Sequence, residues 1–173
     1  GGASALSGGE IYLGGGGGTD AQRAAGFADS TEALETYLMM AGGPDADAAK
    51  IALYARESLS HYQWLKDQGV PYKGTFLPGK IIEPAEDDTL IWSGSEAAWP
   101  FSDAATPAPR GHTIQSMGWG GGRKLMDIFD ARVRALGVDV QCDARVLSLI
   151  SDADGRVSGL VVRIDGQPRF VRA

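Results

Sequence analysis

The first twenty residues of the chain, GGASALSGGEIYLGGGGGTD, are dominated by glycine and small side chains. The stretch holds nine glycines and two serines, Ser4 and Ser7. Glycine adopts backbone angles that other residues avoid, and its missing side chain lets a ligand approach the main chain closely. The serine hydroxyls can donate hydrogen bonds to phosphate or ring oxygens. We therefore expect a loop that binds a ligand through its backbone and its hydroxyl groups.

A flexible linker is the alternative interpretation of such a glycine-rich stretch. For the five glycines at 14–18, the sequence does not decide between a flexible linker and a ligand-binding loop. A linker fits residues 1–9 less well, because Ala3, Ala5 and Leu6 alternate with serine without any repeat. Neither half contains the phosphate-binding patterns G-x-G-x-x-G or G-x-x-x-x-G-K-[ST]. A chain that opens in this way is expected to be part of a longer protein.

Composition argues against several classes of function. The chain has 173 residues and a formal net charge of −6, which argues against nucleic acid or an anionic membrane as partner. Cys142 is the only cysteine, so an internal disulfide is impossible and a metal site is not expected. No apolar run approaches the roughly 20 residues that cross a bilayer. We expect a globular, cytoplasmic protein with no membrane span.

Two helices are predicted to follow the opening stretch. The first should run over residues 31–40, with Ser30 suited to the N-cap position, and stop at the next glycines. The second should open at Pro44 and end near residue 68, with apolar residues at roughly helical spacing. His61 lies in this second helix, where a lone histidine is usually a packing or surface residue.

The segment 70–109 shows no sustained periodicity, because six prolines interrupt it. Within it, only the short run 89–92 is predicted to be a strand. Aromatic side chains are spread through the segment, which is typical of an irregular layer packed over a core or over a flat ligand. We favour core packing, with a flat ligand as the alternative.

A glycine-rich run, Met-Gly-Trp-Gly-Gly-Gly at 117–122, is predicted to open a third helix over residues 123–136. Leucine, isoleucine, phenylalanine and valine form one apolar stripe along it. The free N–H groups at such a helix start suit an anion, although most helix starts bind nothing.

The C-terminal part of the chain has the clearest β pattern. Residues 138–142 are predicted to form a buried strand. Residues 145–151, 156–164 and 169–172 are predicted to form three more strands, joined by turns rich in aspartate and glycine. The expected order of elements is a helix, then a parallel strand, then a three-stranded antiparallel meander.

Several of these motifs together resemble a known family. The opening G-G-x-S-A-L-S-G-G, the meander pattern R-V-L-S-L-I-S-D-A-D-G-R-V-S-G-L-V-V and the G-G-G before the third helix resemble the fumarate reductase and 3-ketosteroid dehydrogenase group of FAD-dependent enzymes. The motifs I-Y-L-G-G-G, F-L-P-G-K, W-P-F and A-P-R-G-H resemble most the 3-ketosteroid Δ4-(5α)-dehydrogenases. The resemblance covers essentially the whole chain.

The resemblance implies an α/β fold and a partial domain. Residues 1–173 would be part of one FAD-binding, Rossmann-like domain with a helical insertion and a C-terminal antiparallel β-meander. The family's N-terminal G-x-G-x-x-G unit and its downstream catalytic cap are missing from this sequence. No catalytic residue is therefore assigned, and the chain alone is expected to be inactive.

The resemblance also places the cofactor. In the family, the G-G-x-S-A-x-S-G-G segment runs along the pyrophosphate, the ribityl chain and the flavin ring of FAD. The residues implied near the phosphate and ribityl are Gly2, Ala3, Ser4 and Ala5, and those implied near the isoalloxazine are Leu6, Ser7, Gly8 and Gly9. Val146, early in the first meander strand, matches the position whose backbone pairs with adenine.

Arg110 and His112 allow two interpretations. Next to a glycine-rich helix start, they could face a substrate carbonyl or the flavin O2 region. Alternatively, Arg110 forms a structural ion pair and His112 a hydrogen bond to a backbone carbonyl. We favour the structural interpretation, with the substrate-facing one as the alternative.

The implied function is an FAD-dependent dehydrogenase or reductase acting on a CH–CH or C=C bond next to a ketone. A 3-ketosteroid-like substrate, a place in steroid metabolism and an electron acceptor as partner are expected. A fumarate reductase or succinate dehydrogenase type of flavoprotein is one alternative, although few arginines lie near the candidate site to clamp two carboxylates. A non-catalytic fragment is the other alternative.

Overall fold

The structure, a computed structural model, describes residues 2–82 and 86–173. Gly1 of the opening motif and Pro84 of the proline-interrupted segment lie outside these ranges. The chain divides into two compact units, residues 1–133 and residues 134–173. The mixture of helices and sheets that the sequence predicts is confirmed.

The first unit combines short and long helices with one small sheet. Its elements are α1 (Gly2–Leu6), β1 (Ile11–Tyr12), α2 (Asp20–Ala24), α3 (Thr31–Gly42), α4 (Ala48–Asp67), β2 (Phe76–Lys80), β3 (Leu90–Trp92), α5 (Phe101–Ala104), β4 (Gly111–His112) and α6 (Gly121–Ala135). Short 3-10 turns at Gly43–Asp45 and Gly118–Gly120 precede α4 and α6.

Side-chain caps define where the long helices begin. The Ser30 hydroxyl accepts a hydrogen bond of 3.0 Å from the Ala33 amide at the start of α3, as the sequence predicts. The Asp47 carboxylate accepts from the Lys50 amide over 3.1 Å at the start of α4. This helix begins a few residues later than predicted, because the Gly43–Asp45 segment forms a separate 3-10 turn.

The sheet of the first unit has the strand order β1-β4-β3-β2. Strand β4 pairs antiparallel with both β1 and β3, so His112 lies opposite Ile11 on one side and Leu90 on the other. Strand β2 adds parallel to β3 at the edge. The sequence missed β2, because Pro78 and Gly79 within it break the strand pattern.

The core of the first unit lies between α4 and the chain around β1 and β4. Its buried members are Leu13, Tyr62, Leu65, Val70 and Ile114. The rings of Phe76 and Trp92 meet the Phe27 ring edge-on at centroid distances of 5.2 and 5.4 Å. These contacts show that aromatic side chains of the segment 70–109 pack within the protein, in line with the favoured interpretation.

The second unit is a three-stranded antiparallel meander. Its strands are β5 (Arg145–Ser151), β6 (Val157–Ile164) and β7 (Gln167–Arg172), in the order β5-β6-β7. This part of the prediction is confirmed, including both turns. Asp165 and Gly166 adopt positive φ angles of 51° and 76° in the second turn, a conformation that Asp and Gly tolerate best.

Two predictions about secondary structure are wrong. Residues 138–142 do not form a strand, and Val138 and Val140 are exposed rather than buried. A strand needs a neighbour for its backbone hydrogen bonds, and no described strand pairs with this run. The opening segment is not entirely a loop either, since residues 2–6 form the single-turn helix α1, which ends before Ser7.

The five glycines at 14–18 do not form a flexible linker. The Gly14 amide donates to the Ser58 hydroxyl over 3.0 Å, and the Gly15 amide donates to the Asp29 carboxylate over 3.0 Å. The Gly17 amide donates to the Asp29 carbonyl over 2.7 Å. Because 15–18 all have positive φ angles, glycine is needed here for a tight, hydrogen-bonded turn.

Candidate functional site

The opening segment, residues 2–9, lies at the surface of the first unit. Leu6 is 82% exposed, and Ser4 and Ser7 are exposed as well. The Ser7 hydroxyl donates to the Ser4 carbonyl over 2.8 Å and keeps its lone pairs available. The segment therefore exposes backbone and hydroxyl groups at the surface, and its role in binding a ligand stays a prediction.

The start of α6 holds the opening segment in place. The Gly122 amide donates to the Ser7 carbonyl over 3.0 Å. A Cβ added to Gly9, Gly121 or Gly122 would come well under 3.0 Å from backbone atoms of the other segment. The glycines before and within α6 thus allow direct backbone-to-backbone contact, which accounts for them without a bound anion at this position.

A cleft of about 190 Å³ opens beside this contact. Its lining residues are Ser7, Gly8, Gly9, Glu10, Ile82, Thr113 and Trp119. Trp119 and Ile82 are 68% and 72% exposed, although both are large and apolar. Among the described residues of this lining, Glu10 alone carries a charge. The described lining is therefore largely apolar, with one carboxylate next to the opening segment.

Arg110 is fully buried in an ion pair with Asp29. The Arg110 Nε lies 2.9 Å from Asp29 Oδ2, and Nη2 lies 2.7 Å from Oδ1. The guanidinium also lies over the Tyr37 ring, 5.3 Å from its centroid. This bidentate pair joins the turn before α3 to the segment before β4, while the buried Nη1 of Arg110 has no hydrogen-bond partner in the described residues.

His112 is buried with both ring nitrogens in hydrogen bonds. Its Nδ1 lies 2.9 Å from the Arg110 carbonyl, and its Nε2 lies 2.8 Å from the Thr19 hydroxyl. The carbonyl can only accept, so Nδ1 carries the proton and Nε2 accepts from Thr19. Burial lowers the pKa of His112 to about 4, against the smaller opposing effects of the Arg110 carbonyl, Asp20 and Asp29. The imidazole is neutral at pH 7.

These contacts bear on the two interpretations of Arg110 and His112. Both side chains have protein partners, and neither belongs to the cleft lining. The geometry therefore favours the structural interpretation over the substrate-facing one.

A second buried polar contact was missed by the sequence analysis. The Tyr12 hydroxyl, on β1, donates to Glu96 Oε1 over 2.5 Å, and the Tyr12 and Tyr37 rings stack at 5.8 Å. Burial and the Glu96 carboxylate raise the pKa of Tyr12 far above its ordinary value, so the hydroxyl keeps its proton. No local pattern could reveal this contact, because its partners lie 84 residues apart.

The lining residues of the cleft were also missed. Trp119 stands within the glycine run that the sequence analysis singled out, but only the glycines were interpreted. A large aromatic residue between glycines, at a helix start, was the available signal. Glu10, Ile82 and Thr113 carry no such signal, because their proximity results from tertiary folding.

Val146 lies in the second unit, on the edge strand β5. Its sheet partner is Val162 on β6, and no described strand pairs with the other edge of β5. An edge strand offers backbone N–H and C=O groups to a further partner. This arrangement fits a main-chain contact with a planar base, and the side chain of Val146 is not required for it.

The comparisons with known proteins agree on one family. The family model described as "FAD binding domain" matches residues 1–173. The chain is 32% identical to the 3-oxo-5-alpha-steroid 4-dehydrogenase of Comamonas testosteroni over 178 aligned positions, covering 99% of this chain and 33% of that protein. The chain belongs to the FAD binding domain family, and FAD is the cofactor that this family indicates.

Solved structures give the same picture. The 3-ketosteroid-Δ4-(5α)-dehydrogenase from Rhodococcus jostii RHA1, in complex with 4-androstene-3,17-dione, is 47% identical and superposes with a TM-score of 0.92 over 100% of this chain and 36% of its own. The open conformation of a flavocytochrome c3 fumarate reductase is 24% identical, with a TM-score of 0.63 over 88% of this chain and 22% of its own, and shows a shared fold alone. The chain thus spans about a third of the length of the two steroid dehydrogenases.

Two further observations concern the described residues only. No group of three or more histidine, cysteine, aspartate or glutamate side chains is placed to hold a metal ion. None of the helices described in 2–82 and 86–173 combines the length and apolar character that a membrane crossing requires.

Proposed function

We propose that the chain is one part of the FAD-binding domain of a longer dehydrogenase or reductase. The enzyme acts on a CH–CH or C=C bond next to a ketone, and its substrate is a 3-ketosteroid or a similar ring ketone. Membership of the family and the names of the two steroid dehydrogenases support this proposal. The G-x-G-x-x-G unit of a Rossmann-like fold and the catalytic cap belong to other parts of that protein, so this chain alone is inactive.

In this proposal the opening segment contacts FAD through its backbone and hydroxyl groups. Gly2, Ala3, Ser4 and Ala5 contact the pyrophosphate and ribityl, and the following residues through Gly9 contact the isoalloxazine. Exposed backbone and hydroxyl groups, with an apolar cleft alongside, fit a ligand that is polar at one end and flat at the other. Val146 contacts adenine through its main chain.

When bound, FAD would supply the redox chemistry, which is hydride transfer to or from a substrate carbon. The residues of this chain bind and orient. The contact between Ser7 and Gly122 fixes the opening segment, and the cleft beside it offers a largely apolar wall to the substrate. Arg110 and His112 have structural roles, since both hold the segment around β4 through buried hydrogen bonds.

The charge of the cleft lining is the observation that favours a neutral ring ketone over a dicarboxylate as the substrate. A dicarboxylate such as fumarate needs cationic side chains, but the one charged residue in the described lining is the acid Glu10. The two arginines that could have served are already paired, Arg110 with Asp29 and Arg123 with Asp127. A neutral ring ketone is therefore favoured over a fumarate-type substrate.

The partner of the enzyme is an electron acceptor that reoxidises the reduced cofactor, and we place the protein in the cytoplasm. The test uses the full-length protein, an artificial redox dye and two substrates, a 3-oxo-5α-steroid and succinate. We expect dye reduction with the steroid alone. Turnover of succinate, or of fumarate with reduced dye, would contradict the proposal in favour of the dicarboxylate alternative. A protein that binds no flavin would favour the non-catalytic alternative.

A further inference from the structure

Trp119 is one of several large apolar side chains that are exposed in the described residues, and it is the one aromatic side chain in the described lining of the cleft. It lies in the 3-10 turn Gly118–Gly120 and remains 68% exposed, at the wall of the cleft. Large apolar side chains that are exposed next to a binding segment mark a surface that a ligand covers. Ile82, also at the cleft and 72% exposed, adds to the same apolar wall.

The backbone around Trp119 is held firmly by its neighbours. A Cβ at Gly120 would meet the Ser116 hydroxyl at 2.5 Å, and Gly121 lies directly against the Gly8 carbonyl. The Gly120 amide also donates to the Met117 carbonyl over 3.3 Å. The main chain thus fixes the position of residue 119 at the cleft, while most of its side chain remains exposed.

We infer that Trp119 is a specificity-determining residue, whose indole packs on the apolar face of a ring-ketone substrate. This inference rests on the proposed function of the cleft. The occupant is the substrate rather than a further protein segment, because the cleft is continuous with residues 7–9, which are proposed to meet the flavin ring. Aromatic packing of this kind adds to the free energy of apolar burial and depends on the flat shape of the ligand. Trp119 therefore selects steroids over small ketones.

The test compares Trp119→Ala and Trp119→Leu with the wild type, all as full-length flavoproteins. The measured quantities are the flavin content, the steroid Kd from the change in flavin absorbance, and kcat and KM for a 3-oxo-5α-steroid and for cyclohexanone. We expect wild-type flavin content in both variants. For Trp119→Ala we expect Kd and KM for the steroid to rise by about tenfold, and for Trp119→Leu by less. The preference for steroid over cyclohexanone falls accordingly.

Trp99→Ala is the matched control, because Trp99 is 79% exposed and is not part of the cleft lining. It should keep the wild-type steroid Kd. Variants of Trp119 that bind steroid as tightly as the wild type would overturn the inference and leave the proposed function standing. Loss of flavin from both Trp119 variants would overturn it as well, by placing the indole against the cofactor. A wild type that holds flavin but neither binds nor oxidises the steroid would overturn the proposed function, and the inference with it.

Discussion

The amide of Gly122 donates a 3.0 Å hydrogen bond to the carbonyl of Ser7, so the first turn of α6 lies directly on the opening segment. Two glycine-rich stretches that are more than a hundred residues apart in the chain thus meet without side chains between them. This contact fixes the shape of the surface that we propose for the flavin, and it explains why both stretches are rich in glycine.

The substitution Gly122→Ala tests this contact. Its Cβ would collide with the Ser4 and Ser7 carbonyls, which cannot move without displacing the opening segment. Such overpacking costs about 1–3 kcal/mol, and we expect a lower Tm and weaker flavin binding in the full-length protein. Thermal unfolding and the ratio of flavin to protein absorbance measure both effects.

Gly42→Ala is the matched control for this change. Gly42 also lies in a helix, and its added Cβ would lie 3.0 Å from the Ala46 side chain but near no backbone of the opening segment. We expect wild-type flavin content. Equal flavin content in Gly122→Ala and Gly42→Ala would show that the close contact does not shape the site.

The buried pair between Arg110 and Asp29 should make a large contribution to stability. Arg110→Met leaves the Asp29 carboxylate without its cation in the interior, which typically costs about 3–5 kcal/mol. We expect a marked fall in Tm. Arg123→Met removes a solvent-exposed pair with Asp127 instead, and its Tm should stay close to that of the wild type. A stable Arg110→Met protein with a raised substrate KM would instead support the substrate-facing interpretation.

Stability should depend on the protonation of His112 in acid. Burial holds the pKa of the folded state at about 4, below the ordinary value of 6.5. The unfolded chain therefore takes up the proton first, and the stability contributed by neutral His112 is lost as the pH falls from 6.5 towards 4. A shift of this size corresponds to about 3 kcal/mol.

His112→Gln should flatten this part of the pH profile, measured as Tm between pH 4 and pH 7. His61→Gln is the control, because His61 is exposed on α4 and should leave the profile unchanged. If Tm fell equally in the wild type and in His112→Gln between pH 7 and pH 4, burial of a neutral His112 would not explain the acid sensitivity.

The Tyr12 hydroxyl should stabilise β1 through Glu96. Tyr12→Phe removes the only hydrogen bond that the structure shows for the buried Glu96 side chain, whose Oε2 has no partner in the described residues. Leaving a buried acceptor unsatisfied costs about 1–3 kcal/mol. Glu96→Gln keeps an oxygen that can accept from Tyr12, so its Tm should fall less. The reverse order of the two Tm values would contradict this reading of the pair.

Local sequence signals predicted the parts of the fold that local interactions decide. Ser30 caps α3 through its own hydroxyl, and the Asp-Gly turn at 165–166 requires positive φ angles. Both effects act within a few residues, so the sequence reveals them directly. The Thr19 and Gln22 capping box at α2 is a local signal of the same kind.

The other features of the fold and of the candidate site depend on contacts between distant parts of the chain. Residues 138–142 have a strand-like pattern, but a pattern forms no strand without a neighbour to pair with. The partnership of Asp29 with Arg110, 81 residues away, has no local signature. Likewise, Ile82 and Trp119 share a cleft only because of tertiary folding. The family resemblance predicts a cofactor segment, but it gave no prediction for the residues that line the cleft beside it.

The central claim is that the opening segment binds FAD. Its most direct test is the cofactor content of the full-length protein, with FAD identified after release, in the wild type, Ser4→Trp and Ser60→Trp. Ser4 and Ser60 are both exposed, so either indole can be accommodated in the folded protein, but only the one at position 4 would block the proposed site. We predict about one FAD per chain in the wild type and in Ser60→Trp, and little or none in a folded Ser4→Trp. Full FAD content in Ser4→Trp would contradict the claim.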